Sequence, residues 1–279
     1  MSMQQIRYGL SDTLVEEQTR DRLSFMAFCG VKALDPVPDS TLLCRFRKKL
    51  TQTQAYDRLL EAINKQLEQH ELLVCKGTIV DASITPTARR PKGKKIYALP
   101  TGEYTPPLEE VKQNGVDQEA SWVKRGNELY YGYKRHYLVE AENGLVLSVH
   151  TSKASEHESQ HLSGLLEQVE LPKGSEVLGD KGYSSASNES LLESKGLKSR
   201  LQRKRARGQA RNGWLSLYNR LIGERRYKVE RVFGSIKSWF KAGSARYVGK
   251  AKTHSQHVLE ALCYNLYRAP GLALRVSVG

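Results

Sequence analysis

The chain has 279 residues, 39% of them apolar, enough to build a substantial core and to exclude wholesale disorder. Lys and Arg number 44 against 30 Asp and Glu, a formal charge of +14, and such a field attracts polyanions, nucleic acid foremost. No apolar run approaches the roughly eighteen residues of a membrane span, so no membrane partner is expected, and Cys29, Cys44, Cys75 and Cys263 form no CxxC pair, which argues against both a disulfide framework and a zinc site.

The opening "MSMQQIRYGLSD" lacks the apolar core of a secretory signal and predicts a cytoplasmic protein. Residues 11–70 read as three short helices. "LSDTLVEEQTRDRLSFMAFCG" has helical apolar spacing and a Ser-Asp start, Pro36 and Pro38 break it, and "DSTLLCRFRKKL" offers a new N-cap at Asp39 or Ser40 before "QAYDRLLEAINKQLEQH". The basic residues Arg45, Arg47, Lys48 and Lys49 suit a small DNA-contacting unit, and a plain helical cap suits the pattern equally. We delimit this N-terminal helical region as 1–72 and the rest, 73–279, as a second domain, the candidate for any chemistry.

From "GTIVDASI" the pattern turns to strands. "LYYGYKRHYLVEA" and "GLVLSVHTSK" follow, both rich in β-branched and aromatic residues, with "EAENG" as the hairpin turn between them. An insertion loop is expected at about 85–128, where Pro86, Pro91, Pro100, Pro106 and Pro107 accompany the basic run "ARRPKGKK" and little periodicity. A helix around 157–169, the strand "EVLGD", a helix near 187–195 and the strand "LKSRLQ" come next. A second basic run, "RKRARGQAR", then leads into a long helix on which Val229, Val232, Phe233, Ile236 and Phe240 mark one buried face. The fold class is α/β: a mixed sheet flanked by helices.

Three acids stand out. Asp81 interrupts a stretch that wants to be a buried strand, where a carboxylate is costly unless it is paired or bound to a cation; a turn or cap role is the alternative. Asp180 ends a short apolar strand that leads into a glycine turn, a common place for sites in α/β sheets and equally for an Asx turn with Gly182. Glu230 lies among Arg226, Lys228, Arg231 and Lys237, either as a solvated partner of Arg226 four residues earlier or as a carboxylate at the rim of the apolar face. Together, two acids at strand positions and one on a following helix suit Mg²⁺, a hard ion that takes a few carboxylates with waters and substrate phosphates.

These landmarks, "VPDSTLLCRFRKKL", "GTIVDAS", "YYGYKRHYLVEAENGLVLSVHTSKASEHES", "VLGDKGYSS" and "RYKVERVFGSIK", resemble the bacterial DDE transposases of the insertion-sequence 5 type, within the ribonuclease H-like group. The resemblance implies a ribonuclease H-like catalytic core in which Asp81, Asp180 and Glu230 are catalytic acids that bind Mg²⁺, with Mn²⁺ as substitute. It also implies that Arg226 and Lys237 belong to the signature around the third acid. That signature begins with a tyrosine where this chain has Gly223. A second departure is that only seven residues precede "YGLSD". The function implied is metal-dependent cleavage at terminal inverted repeats and strand transfer into target DNA. Lys134, Arg226, Lys237 and the run Arg203, Lys204, Arg205, Arg207 and Arg211 are expected on the phosphates of double-stranded DNA, with Lys181 a further candidate. A homodimer pairing two element ends, at the nucleoid of a bacterium, completes the expectation. The rivals are a nuclease that cuts without joining and a catalytically silent DNA-binding derivative.

Overall fold

The computed structural model describes residues 1–92, 114–205 and 213–276. Six strands form one sheet: β1 (Gly77–Pro86), β2 (Ser121–Arg125), β3 (Glu128–Glu140), β4 (Val146–Lys153), β5 (Glu176–Gly179) and β6 (Lys198–Leu201). β3 runs antiparallel to β1, β2 and β4, whereas β5 lies parallel to both β1 and β6. With β2 set aside, the spatial order is β4-β3-β1-β5-β6. The antiparallel half follows from the tight turn after Glu140, where Gly144 takes a left-handed φ of 71°. The parallel half needs helical crossovers, which α6 (Leu162–Leu166) and α7 (Ala186–Ser194) supply.

Strand alternation sorts the side chains onto two faces. Ile79, Tyr137, Val139 and Leu178 pack with Val229, Val232, Phe233 and Ile236 of α8 (Gly213–Trp239) and with Val258 and Leu262 of α9 (Lys250–Val276). The opposite face carries Val80, Leu138 and Val177 against Leu162, Leu165 and Leu166 of α6 and Leu192 of α7. The sheet is therefore covered on both sides, the arrangement that parallel strands require.

The N-terminal region contains five helices where three were expected: α1 (Ser2–Tyr8), α2 (Asp12–Asp21), α3 (Leu23–Cys29), α4 (Ser40–Gln52) and α5 (Ala55–Gln69). Ser11 caps α2 and Asp39 caps α4, each accepting from the backbone N–H three residues on, at 3.1 and 2.6 Å. The single long helix expected over "LSDTLVEEQTRDRLSFMAFCG" breaks at Arg22, which is extended, so that Val15 and Phe25 can turn toward Leu43. The helices are docked on the sheet. Asn64 of α5 donates to the Val146 and Leu147 carbonyls, and Asn265 of α9 donates to Asn64 Oδ1 and accepts from Val146 N–H. This buried network is satisfied within itself and ties α5, β4 and α9 together.

Two further differences concern the middle of the chain. The segment read as an insertion holds the end of β1 and all of β2, which pairs with β3 from Ser121↔Gly132 to Arg125↔Glu128. The helix expected at 157–169 is a 3-10 turn, Glu158–Gln160, followed by the five-residue α6. Beside it three imidazoles, His136, His150 and His161, pack with ring centroids 4.7–6.1 Å apart. The four cysteines are free thiols.

Candidate active site

Sheet register brings two of the predicted acids together. Val80 of β1 lies opposite Gly179 of β5 in the last parallel pair, so the next residues, Asp81 and Asp180, emerge side by side from neighbouring strands, about 5 Å apart at the backbone. Gly179 sits in a tight spot between strands: a Cβ there would lie 2.6 Å from Leu201 Cδ2 and 2.9 Å from Val80 Cγ1. Beyond Gly179 the chain turns away, with Asp180 Oδ1 accepting from Gly182 N–H at 2.7 Å. The Asx turn with Gly182 that the sequence offered as one reading of Asp180 is formed.

Asp81 is largely buried, with 18% of its side chain exposed. One oxygen accepts from Ala82 N–H at 2.9 Å, and the other lies 3.1 Å from Arg226 Nη2. Burial nevertheless pushes its pKa up to about 6; Arg226 and the Ala82 N–H pull it down, and the neighbouring charges of Asp180 and Glu158 raise it again. Asp81 and Asp180 border a cavity of about 270 Å³ together with Lys124, Arg125, Lys134 and Glu158. Lys134 Nζ donates to the Glu156 carbonyl at 2.9 Å and pairs with Glu158 Oε1 at 3.4 Å.

The third predicted acid is placed differently. Glu230 is exposed on α8, one turn after Arg226, and does not border this cavity. The ion pair with Arg226 that helical spacing allows is not formed, because the guanidinium reaches across to Asp81 instead. Lys237 is exposed on the same helix, and its pKa is lowered by desolvation of the part of the side chain that packs down and by the charges of Arg135 and Arg125. Lys181 is exposed in the turn after Asp180. Arg203, Lys204 and Arg205 are exposed, with the Arg203 guanidinium 5.2 Å from the Tyr218 ring centroid; Arg207 and Arg211 lie outside the described residues.

The donor set can be tested against a divalent cation. Among the described residues no group of three or more His, Cys, Asp or Glu stands close enough to hold a metal ion. Mg²⁺ does not require such a cage, since it retains waters and takes one or two carboxylates with substrate phosphates. Asp81 and Asp180 supply those hard oxygens in a single cavity, and among the described residues Asp180 has no cationic partner. The pair fits the ion.

Three residues of the site were not read from the sequence. Lys124 and Arg125 belong to β2, hidden in a segment whose prolines and charges suggest a loop. Glu158 sits in "SKASEHES", which has no periodicity; the available signal was a Glu156-His157-Glu158 run immediately after a strand, where site residues concentrate.

An α/β sheet with one acid within a central strand, another just past the end of its parallel neighbour, and a basic helix alongside has a counterpart among known families. Residues 76–266 match the family described as Transposase DDE domain, and residues 1–49 match the one described as Transposase domain (DUF772). The chain belongs to the DDE transposase family, and its sheet is the ribonuclease H-like core of that family. Among known relatives, it is 35% identical over 227 residues to the "Transposase for insertion sequence element IS1106" of Neisseria meningitidis serogroup B, an overlap of 81% of this chain and 76% of the relative. No solved structure matches it. No helix among the described residues is long and apolar enough to cross a membrane.

Proposed function

We propose that this transposase cuts DNA at the terminal inverted repeats of its insertion sequence and joins the freed 3′-hydroxyl to target DNA, with Asp81, Asp180 and Glu230 as the metal-binding acids. The observation that carries the reading is the position of Asp81 and Asp180 directly after the Val80–Gly179 pair of β1 and β5, on a cavity rimmed by Lys124, Arg125 and Lys134. Mg²⁺, or Mn²⁺ in its place, supplies Lewis acidity and lowers the pKa of an attacking water or hydroxyl. The protein's own part is positioning. Asp81 and Asp180 are held by strand hydrogen bonds, so their carboxylates present a fixed pair of oxygens to the scissile phosphate's counter-ions. Glu230 joins from α8 and completes the set. The cations of β2 and β3 meet the non-bridging phosphate oxygens and fix the register of the duplex without reading sequence.

Arg226 takes a second role in this reading. In the metal-free protein it neutralises Asp81, and DNA phosphate competes for the same guanidinium. Lys237, Lys181, Arg203, Lys204, Arg205, Arg207 and Arg211 extend the phosphate track, residues 1–72 form a DNA-contacting unit, and a homodimer on DNA pairs two element ends.

Incubation of the purified protein with end-labelled element termini, target plasmid and Mg²⁺ tests the reading. Strand-joined product is expected from the wild type, and its loss from Asp81→Ala, Asp180→Ala and Glu230→Ala, each still binding DNA in EDTA. Nicking without joining favours a nuclease, and binding alone favours a silent derivative. Full activity in any of the three variants overturns the assignment of that acid.

A further inference from the structure

Glu158 has no place in the three-acid reading, yet it borders the same cavity as Asp180. A Cβ built on Gly182 would fall inside the radius of Glu158 Oε2 and 2.8 Å from Asp180 Oδ1, so oxygens of both carboxylates converge on one point. Glycine at position 182 leaves the space that both oxygens occupy. Two carboxylates brought this close repel each other unless a cation lies between or beside them. Lys134 serves Glu158, at 3.4 Å, and Arg226 serves Asp81, at 3.1 Å; among the described residues no cation pairs with Asp180. The cavity thus holds three carboxylates, of which only Glu158 and Asp81 are ion-paired, with Lys124 and Arg125 further out on its rim. Glu158 is also set firmly. It opens the 3-10 turn Glu158–Gln160, and Asn188 of α7 donates to the carbonyl of Ser159 at 3.0 Å, tying that turn to the helix that follows Asp180.

We propose that Glu158 is a fourth acid of the site, sharing with Asp180 the divalent cation that the family chemistry uses, while Lys134 is its counter-ion in the metal-free protein. The inference rests on the reading above, in which Asp180 is a ligand. It assigns to the turn after β4 a positioning duty that α8 alone does not meet, since Glu230 does not border the cavity. Asp180 and Glu158 come from segments joined through Asn188, so the shared ion is held from both sides of the turn. The ligand is a hard divalent cation, because every donor is a carboxylate oxygen.

The test is a Mn²⁺ titration of the full chain without DNA, with free ion followed by electron paramagnetic resonance, for wild type, Glu158→Gln, Glu158→Asp and Asp180→Asn. Circular dichroism in EDTA confirms that each variant is folded. Glu158→Gln is expected to weaken Mn²⁺ binding about tenfold or more, the loss typical when a metal site's supporting group is removed, and Glu158→Asp, which keeps the charge on a shorter arm, to recover part of it. Wild-type affinity in Glu158→Gln with lost affinity in Asp180→Asn removes Glu158 from the site and leaves the three-acid reading standing. Unchanged affinity in both variants, or no saturable binding by the wild type, overturns the inference and the reading together.

Discussion

Asp81→Asn is predicted to make the metal-free protein more stable while abolishing its chemistry. The Asp81 carboxyl has a pKa raised from 3.8 to about 6 by burial in β1 and by the charges of Asp180 and Glu158, even with Arg226 beside it. At about 1.4 kcal/mol per pKa unit, keeping it ionised in the folded chain costs on the order of 3 kcal/mol relative to the unfolded chain. The sign follows from the direction of the shift. Below pH 4 the group is protonated in both states and contributes nothing; between 4 and 6 the unfolded chain loses the proton first; above 6 the full cost is present. Asparagine mimics the protonated form in shape and leaves its amide oxygen to Arg226, so it removes the cost. For a chain of this size about 3 kcal/mol corresponds to a Tm rise on the order of 5 °C. Thermal unfolding of wild type and variant in EDTA, from pH 4 to pH 8, reads the effect as a difference, in which other titrating groups cancel. The gap is expected to be widest at pH 8 and to close as the pH falls through 6. Saturating Mg²⁺ should narrow it at pH 8 by stabilising the wild type alone. A variant no more stable than wild type at pH 8, or a gap that ignores pH, refutes the account of Asp81 as a carboxylate kept charged at a cost.

Burial lowers the pKa of His136, His150 and His161, His150 to about 4; acidification below 6.5 therefore protonates the unfolded chain first, and stability is expected to fall between pH 6.5 and 4, about 3 kcal/mol from His150 alone, a slope that His150→Asn should reduce in denaturant titrations. Arg135, fully buried, pairs with Glu260 at 2.7 Å and donates to Thr85 Oγ1 at 3.0 Å, so Glu260→Ala, which strands the guanidinium, should destabilise by about 3–5 kcal/mol in urea unfolding. Lys124→Gln and Arg125→Gln should each weaken DNA binding across unrelated sequences and lower the slope of log K against log salt by about 1, as measured by fluorescence anisotropy in EDTA.

The sequence was most informative where one physical pattern dominates. The apolar spacing of Val229, Val232, Phe233 and Ile236 identifies α8 because nothing competes with its helical period, and "EAENG" between two β-branched runs identifies the β3–β4 hairpin. Asp81 and Asp180 were legible as acids out of place in apolar strands. Their adjacency was not, because it depends on parallel pairing of Val80 with Gly179, across about a hundred residues of chain. Five short strand residues in "SWVKR" gave no signal, since only Trp122 and Val123 favour a strand and both flanks are polar. Glu158 was hard to read for the opposite reason: beyond the Glu156-His157-Glu158 run after β4, its nearness to Asp180 depends on a tertiary neighbour, Gly182, that local pattern does not show. The exchange of Glu230 for Asp81 as the partner of Arg226 belongs to the same class. Helical spacing offers Glu230 at a few tenths of a kcal/mol, whereas a largely buried carboxylate, which water cannot solvate, offers more.

The three acids proposed for this site are positioned by unequal means, which bears on how it would assemble. Asp81 and Asp180 are set by backbone hydrogen bonds between β1 and β5, and a slip of one residue in that pairing would carry Asp81 to the opposite face. That pair is as rigid as the sheet. Glu230 depends on the seating of α8, through Val229, Val232 and Phe233 against Ile79, Tyr137 and Leu178, and on a long side chain free in solvent. Arg226 stands between the two arrangements, anchored on α8 and bound to Asp81. Any cation that takes the Asp81 carboxylate must compete with that guanidinium, and a DNA phosphate is the natural acceptor for the arginine once displaced. Cation and DNA then favour each other's binding through one side chain, which couples assembly of the site to the arrival of its substrate.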